Sequence, residues 1–200
     1  MPTLELARLS DGEIIAVDID PTALDELERK AREAGLSSRI TGLNRSMQDL
    51  DFSEESFDVI WCEGAAFVIG FSNALRDWRK FIKPGGFLVI HEAIWLRPNP
   101  PDDIARHWQQ KHGTLHTASH LREEIRTHGY ELIEWFALPS QLWWDDYFEP
   151  LERLLRGPKD RRQDPELQSL ISDQQRDVEM FRKSDTWYGS AFFVMRKNGS

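Results

Sequence analysis

The segment Glu13–Asp20, EIIAVDID, runs straight into Pro21 and a helix-patterned stretch, so an apolar strand must turn into a helix at its carboxyl end. The same switch between strand and helix periodicity recurs along the chain. Such βα alternation implies an α/β fold with a mostly parallel sheet. Asp20 reads as the N-cap and Pro21 as the first helical residue. Leu24, Leu27, Ala31 and Ala34 fall on one face, and Gly35 ends the helix. Leu4–Leu9 reads as the end of an earlier helix.

Further on, Arg39–Leu43 reads as a weak strand and Phe57–Glu63 as a stronger one. Asn73 is expected to cap a helix whose Ala74, Leu75, Trp78, Phe81 and Ile82 face inward. Lys83-Pro84-Gly85-Gly86 reads as a turn delivering Phe87–Ile90 as a buried strand. A proline-bearing loop, Arg97–Asp103, leads to helical patterns at Ile104–Trp108 and at Ala118–Ile125, the second ending at Gly129. Tyr130–Leu138 reads as a strand. Gln141–Leu155 is aromatic and helix-like, with an interruption near Pro150 and a break at Gly157-Pro158. Lys159–Asp164 reads as a solvated linker. Asp164-Pro165 opens a helix that keeps Leu167, Leu170, Ile171, Val178 and Phe181 in register, and Thr186–Arg196 is the last strand.

At 200 residues, 40% apolar and 30% charged, one domain spanning 1–200 with a lid-like helical insertion at 141–184 is expected. The formal charge of -9 argues against a nonspecific grip on nucleic acid or anionic lipid, both of which need a positive surface field. The single cysteine, Cys62, permits no internal disulfide and reads as a buried small hydrophobe. No basic-then-apolar leader and no membrane-length apolar run is present. A soluble chain in a reducing cytoplasm is the expectation, with a homodimer left open.

Asp18 ends its strand where an open α/β sheet places a nucleotide ribose, and a carboxylate can accept from both ribose hydroxyls. A plain structural account competes with this, in which Asp18 caps the turn before Asp20-Pro21. His91 and Glu92 end a strand on the side where ligands bind, as general bases or as hydrogen-bonded lining. His112, His116 and His120 recur every fourth residue, but Gly113 and Thr114 interrupt the helix and no Cys, Asp or Glu joins the set. No metal is therefore expected.

Four pieces in order, IIAVDIDP at Ile14–Pro21, SMQDLDFSEESFDVIWCEG at Ser46–Gly64, KPGG at Lys83–Gly86 and FLVIHEA after it, resemble the class I S-adenosylmethionine-dependent methyltransferases, the ubiquinone/menaquinone C-methyltransferases among them. The resemblance implies a three-layer Rossmann-like fold with an antiparallel C-terminal strand. It also implies methyl transfer from S-adenosylmethionine to a small planar or lipophilic acceptor. By that resemblance Asp18 holds the ribose, Ile19 packs on the adenine, and Ser46 and Met47 meet the adenine edge. Ser46 stands where the family often has an acid. Glu63 and Gly64 lie by the methionine part of the cofactor, and a carboxylate there suits a sulfonium and an ammonium. Glu63, which could equally be a solvent-facing strand end, His91 and Glu92 are the catalytic candidates. Trp143, Trp144 and Tyr147, which could equally be core, fall where the family inserts a lid over the acceptor. In-line displacement at the methyl needs little acid–base help when the acceptor is already nucleophilic, so alignment and water exclusion are expected to carry the reaction.

The family's first strand and its Asp/Glu-x-Gly-x-Gly-x-Gly turn are absent from these residues, where Met1–Ala7 resembles the helix that follows that turn. Their loss is expected to leave two strand edges unpaired. Unpaired polar backbone is costly when buried, which favours a sequence boundary set too far downstream over a truncated chain that repacks or recruits a partner. Two other classes share parts of the pattern. A nicotinamide-dependent oxidoreductase would use the same acidic ribose position, and a catalytically silent binding protein would keep the fold alone.

Overall fold

The computed structural model describes residues 2–156 and 165–199, except for the side chains of Pro165 and Glu166. The Gly157-Pro158 break and the Lys159–Asp164 linker lie outside the described residues. The chain forms two compact units, Met1–Phe52 and Ser53–Ser200.

The first unit is α1 (Pro2–Leu9), β1 (Ile14–Asp18), α2 (Pro21–Glu33) and β2 (Ile40–Asn44). The N-cap expectation holds: the Asp20 side chain accepts from the Thr22 amide at 2.8 Å, with Pro21 starting the helix. β1 and β2 pair in parallel from Ile14 opposite Ile40 to Asp18 opposite Asn44. Leu27 and Ala31 of α2 meet Leu4 and Ala7 of α1 and Ile40 in a small core.

The second unit holds β3 (Phe57–Glu63), α3 (Phe71–Trp78), β4 (Ile82–Trp95), α4 (Asp102–His112), α5 (Ala118–Thr127) and β5 (Tyr130–Ala137). It continues through α6 (Ser140–Trp143), a π turn (Trp144–Phe148), α7 (Glu149–Leu155), α8 (Pro165–Ser184) and β6 (Tyr188–Lys197). The strand order is β3-β4-β6-β5, with β4 parallel to β3 and β6 antiparallel to both of its neighbours. The α/β class, the parallel pairs and the antiparallel final strand are as expected from the sequence. Among the described residues β1 is paired only by β2, and β3 only by β4, so each keeps one open edge.

Several local expectations are corrected. Helix α3 starts at Phe71 with Gly70 at its cap, φ +87°, and the Asn73 side chain instead donates to the Ile69 carbonyl at 2.7 Å. The KPGG segment is no free turn. It lies inside β4 as a bulge, because Ile82 already pairs with Phe57 and the ladder resumes at Val59 opposite Phe87. Gly85 takes φ +73°, which an L side chain resists, and a Cβ on Gly86 would sit 2.9 Å from the Asp58 carbonyl oxygen. Gly86→Ala is therefore expected to cost about 1–3 kcal/mol in urea unfolding, by forcing the backbone apart. A midpoint equal to that of the parent would contradict the bulge.

β4 also runs past Ile90 to Trp95, since His91 and Glu92 stay in the ladder between β3 and β6. The interruption expected near Pro150 is present as the π turn Trp144–Phe148 just before it, and Pro150 itself falls in the first turn of α7. Leu170 is 56% exposed, whereas Val178 and Phe181 are buried against Trp95, Trp108, Phe148 and Tyr188.

Candidate functional site

In the first unit, the parallel register carries the carboxyl ends of β1 and β2 to one rim, the end of an α/β sheet at which ligands bind. Asp18 is exposed there. Its Oδ1 accepts from the Asp20 amide at 2.9 Å, which is the turn-capping account, while Oδ2 accepts no hydrogen bond among the described residues. The Asp18 carbonyl accepts from the Asn44 side chain at 3.1 Å and from the Arg45 amide at 3.0 Å, fastening the exit of β2 beside it. Arg45 in turn forms an ion pair with Asp51. Ser46 and Met47 follow in this loop, both half-buried, with the Ser46 Oγ accepting from the Gln48 amide at 3.2 Å. Ile19 is 72% exposed, an apolar side chain held in water at the strand end.

In the second unit, Glu63 lies opposite His91, and Gly64, at φ +60°, donates its amide to the His91 carbonyl at 3.0 Å. Glu63 is exposed, and its Oε1 accepts from the Trp61 indole at 2.6 Å. His91 is buried between two aromatic planes, Phe192 at 4.6 Å and Trp143 at 5.8 Å between ring centroids. Burial lowers its pKa, and its Nε2 has no hydrogen-bond partner among the described residues. The packing makes His91 a neutral wall of the fold.

Side chains alternate along a strand, so Glu92 points away from the His91 stack. It is 5% exposed. One oxygen accepts from the Ala93 amide at 3.1 Å, and Oε2 has no partner among the described residues. Burial pushes the carboxyl up to about 7, against the smaller opposing effect of that amide. Glu92 lines a cavity of about 260 Å³ whose wall includes Phe67, Phe71, Leu115 and Leu121, with Ser72, His112 and His116 among its polar members. The cavity joins a few polar groups to an apolar lining, the usual make-up of a small-molecule site.

The aromatic insertion sits elsewhere. The Trp143 indole donates to the Ser190 hydroxyl at 2.7 Å, Trp144 lies under the Arg182 guanidinium at 4.5 Å, and Tyr147 meets Trp143 edge-on. Trp143 and Trp144 pack on the core around Trp108, and none of the three lines the cavity. Tyr147 is 48% exposed.

The histidine series divides. His112 turns to the Tyr188 hydroxyl at 2.9 Å, because Gly113 at φ +71° ends α4 behind it. His116 and His120 stack at 4.2 Å, and His120 Nε2 lies 3.2 Å from Glu124 Oε1. Sequence reasoning missed Glu124. Its place four residues after His120 on α5 was the signal that could have found it. Cys62 is half-buried, and desolvation pushes its thiol up to about 11, so it is no ready nucleophile.

Residues 2–86 match the family model described as a methyltransferase domain. That stretch, which carries Asp18, Ile19, Ser46, Met47, Glu63 and Gly64, is similar to a methyltransferase domain. The methyltransferase YodH of Bacillus subtilis is 27% identical over 139 residues, 68% of this chain and 57% of that protein. The ubiquinone/menaquinone biosynthesis C-methyltransferase UbiE of Proteus mirabilis is 29% identical over 93 residues, 45% of this chain and 37% of that protein. The chain spans about half the length of the curated relatives it matches. Among solved structures, the [4+2]-cyclase SpnF superposes with a TM-score of 0.79 at 23% identity, covering 100% of this chain and 71% of that one. Other solved methyltransferases of this fold hold S-adenosyl-L-homocysteine. Among the described residues, no helix is long and apolar enough to cross a membrane.

Proposed function

We propose that the chain binds S-adenosylmethionine and transfers its methyl group to a small acceptor. The observation that carries this reading is Asp18: inside the stretch matched by the family model, it ends β1 with one carboxylate oxygen unengaged among the described residues. That oxygen, with the turn-held Oδ1, suits a ribose diol and repels a 2′-phosphate. Ile19 offers an apolar surface for adenine, and Ser46 and Met47 stand beside that rim for its edge. Glu63 and Gly64 belong to the amino-acid end of the cofactor, where a carboxylate favours the ammonium and sulfonium. The cavity beside Glu92 is the acceptor pocket in this reading. Its apolar lining suits a planar or lipophilic body. Trp143, Trp144 and Tyr147 do not line that cavity and are given no contact with the acceptor in this reading.

The step is an in-line displacement. When bound, S-adenosylmethionine would supply a methyl on a sulfonium, with the S–C bonding pair staying on sulfur as the acceptor's lone pair takes the methyl carbon, and the residues of the site would hold the two in line. Where the acceptor carries an acidic proton, Glu92 Oε2 takes it as general base, a role for which a pKa of about 7 is well placed. Alignment and exclusion of water supply the rest.

Calorimetry tests the cofactor. S-adenosylhomocysteine is expected to bind at least about tenfold more tightly than NADH, a margin of about 1.4 kcal/mol. Preference for NADH would return the oxidoreductase reading. A fold does not fix an activity, and a solved neighbour of this fold is a [4+2]-cyclase, so a second reading is a chain that keeps the fold without transferring methyl. Binding of S-adenosylhomocysteine, without consumption of S-adenosylmethionine over a panel of phenols, amines and enolisable acceptors, would select it.

A further inference from the structure

We propose that His116, His120 and Glu124 form a binding site for a divalent transition metal ion, Zn²⁺ or Co²⁺ in character, at the wall of the Glu92 cavity. Their ligand atoms all lie within 4.8 Å of one another. The placement follows from how α5 begins. Thr117 is its N-cap, accepting from the His120 amide, so His116 stands just ahead of the helix while His120 and Glu124 follow one turn apart on the same face. The His120 Nε2 to Glu124 Oε1 separation of 3.2 Å is close to the edge of a coordination tetrahedron with bonds of about 2.1 Å. The His116 ring stacks on His120 at 4.2 Å between centroids, which keeps its nitrogens in the same cluster.

Two imidazoles and one carboxylate are the donors that borderline metals prefer, whereas Mg²⁺ and Ca²⁺ favour oxygen alone. Three protein ligands also leave a coordination position open, as exchange-active zinc sites do and closed structural ones do not. His116 and Glu124 both line the cavity, so the open position faces it. A ligand with an anionic or hydroxyl oxygen is the class such a site takes. That second part rests on the acceptor-pocket reading; binding of the ion itself does not.

The test uses the untagged 200-residue chain. Titration with Zn²⁺ by calorimetry is expected to show one ion per chain. Co²⁺ is expected to give the visible absorption of a four- or five-coordinate site, displaced by Zn²⁺. His120→Ala and Glu124→Gln are expected to weaken Zn²⁺ binding at least tenfold, with circular dichroism unchanged because His120 is exposed and Gln fits the Glu124 site. No binding up to millimolar Zn²⁺ overturns the proposal, and so does binding that both substitutions leave intact. Zn²⁺ binding by a chain that fails to bind S-adenosylhomocysteine would leave the metal site standing and remove the methyl-transfer reading. The reverse pair of results would do the opposite.

Discussion

Glu92→Gln is expected to lower the rate of methyl transfer by about 10²–10⁴-fold and to make the protein more stable above pH 7. The two effects share one cause. A carboxyl group buried without a full set of partners resists ionisation, so its folded pKa of about 7 lies above the ordinary value of 4.5. Below pH 4.5 the folded and unfolded chains both carry the proton, and no difference arises. Between pH 4.5 and 7 the folded state holds a proton that the unfolded state has released, so stability falls as pH rises and levels off above 7. The shift corresponds to a penalty on the order of 3 kcal/mol at pH 8, which a neutral glutamine of the same shape avoids while still accepting from the Ala93 amide. Urea unfolding at pH 5 and pH 8 reads the stability, and the gap between variant and parent is expected to open with pH. Activity of the parent is expected to rise through about pH 7, with the variant flat. Retention of activity within about threefold would show that the acceptor needs no base and would restore alignment as the whole of catalysis.

The parts legible in the sequence were those governed by short-range rules. β1, α2 and β3 were readable because an apolar run, an acidic or glycine terminus and a proline at the first helical position each fix a local choice. The misreadings come where long-range pairing overrides those rules. Lys83-Pro84-Gly85-Gly86 has turn chemistry, yet the pairing of Ile82 with Phe57 holds it within a strand. His91 and Glu92 look like the end of β4 because they are polar, but β6 pairs alongside them and carries the strand on to Trp95. The cavity was not legible at all. Its wall draws on the start of α3, the end of α4 and the loop after it, one face of α5 and two strand residues, Glu92 and Ala93, which no periodicity brings together. His112 shows the same limit, since its spacing suggested one set with His116 and His120 until the left-handed Gly113 turned it toward Tyr188.

Asp18→Ala is expected to weaken binding of S-adenosylhomocysteine by roughly 30- to 1000-fold, because two hydrogen bonds to a charged acceptor contribute about 2–4 kcal/mol together. The same substitution removes the acceptor of the Asp20 amide, so lost affinity alone would not separate a ligand contact from a loosened turn. Asp18→Asn separates them. Asparagine keeps a carbonyl oxygen for the Asp20 amide and retains the turn, but it replaces the second acceptor with a donor that meets a ribose hydroxyl poorly and carries no charge. If the carboxylate holds the diol, the asparagine variant unfolds like the parent in urea and still loses at least about tenfold in affinity. If Asp18 only caps the turn, the asparagine variant binds like the parent and the alanine variant loses affinity in proportion to its loss of stability. A deoxyribose analogue of the ligand gives the complementary result: it binds the parent more weakly and distinguishes little between the parent and Asp18→Ala, since the group it lacks is the one this carboxylate would grip. Full affinity of the parent for the deoxy analogue would place the sugar away from Asp18 and remove the support on which the cofactor assignment stands.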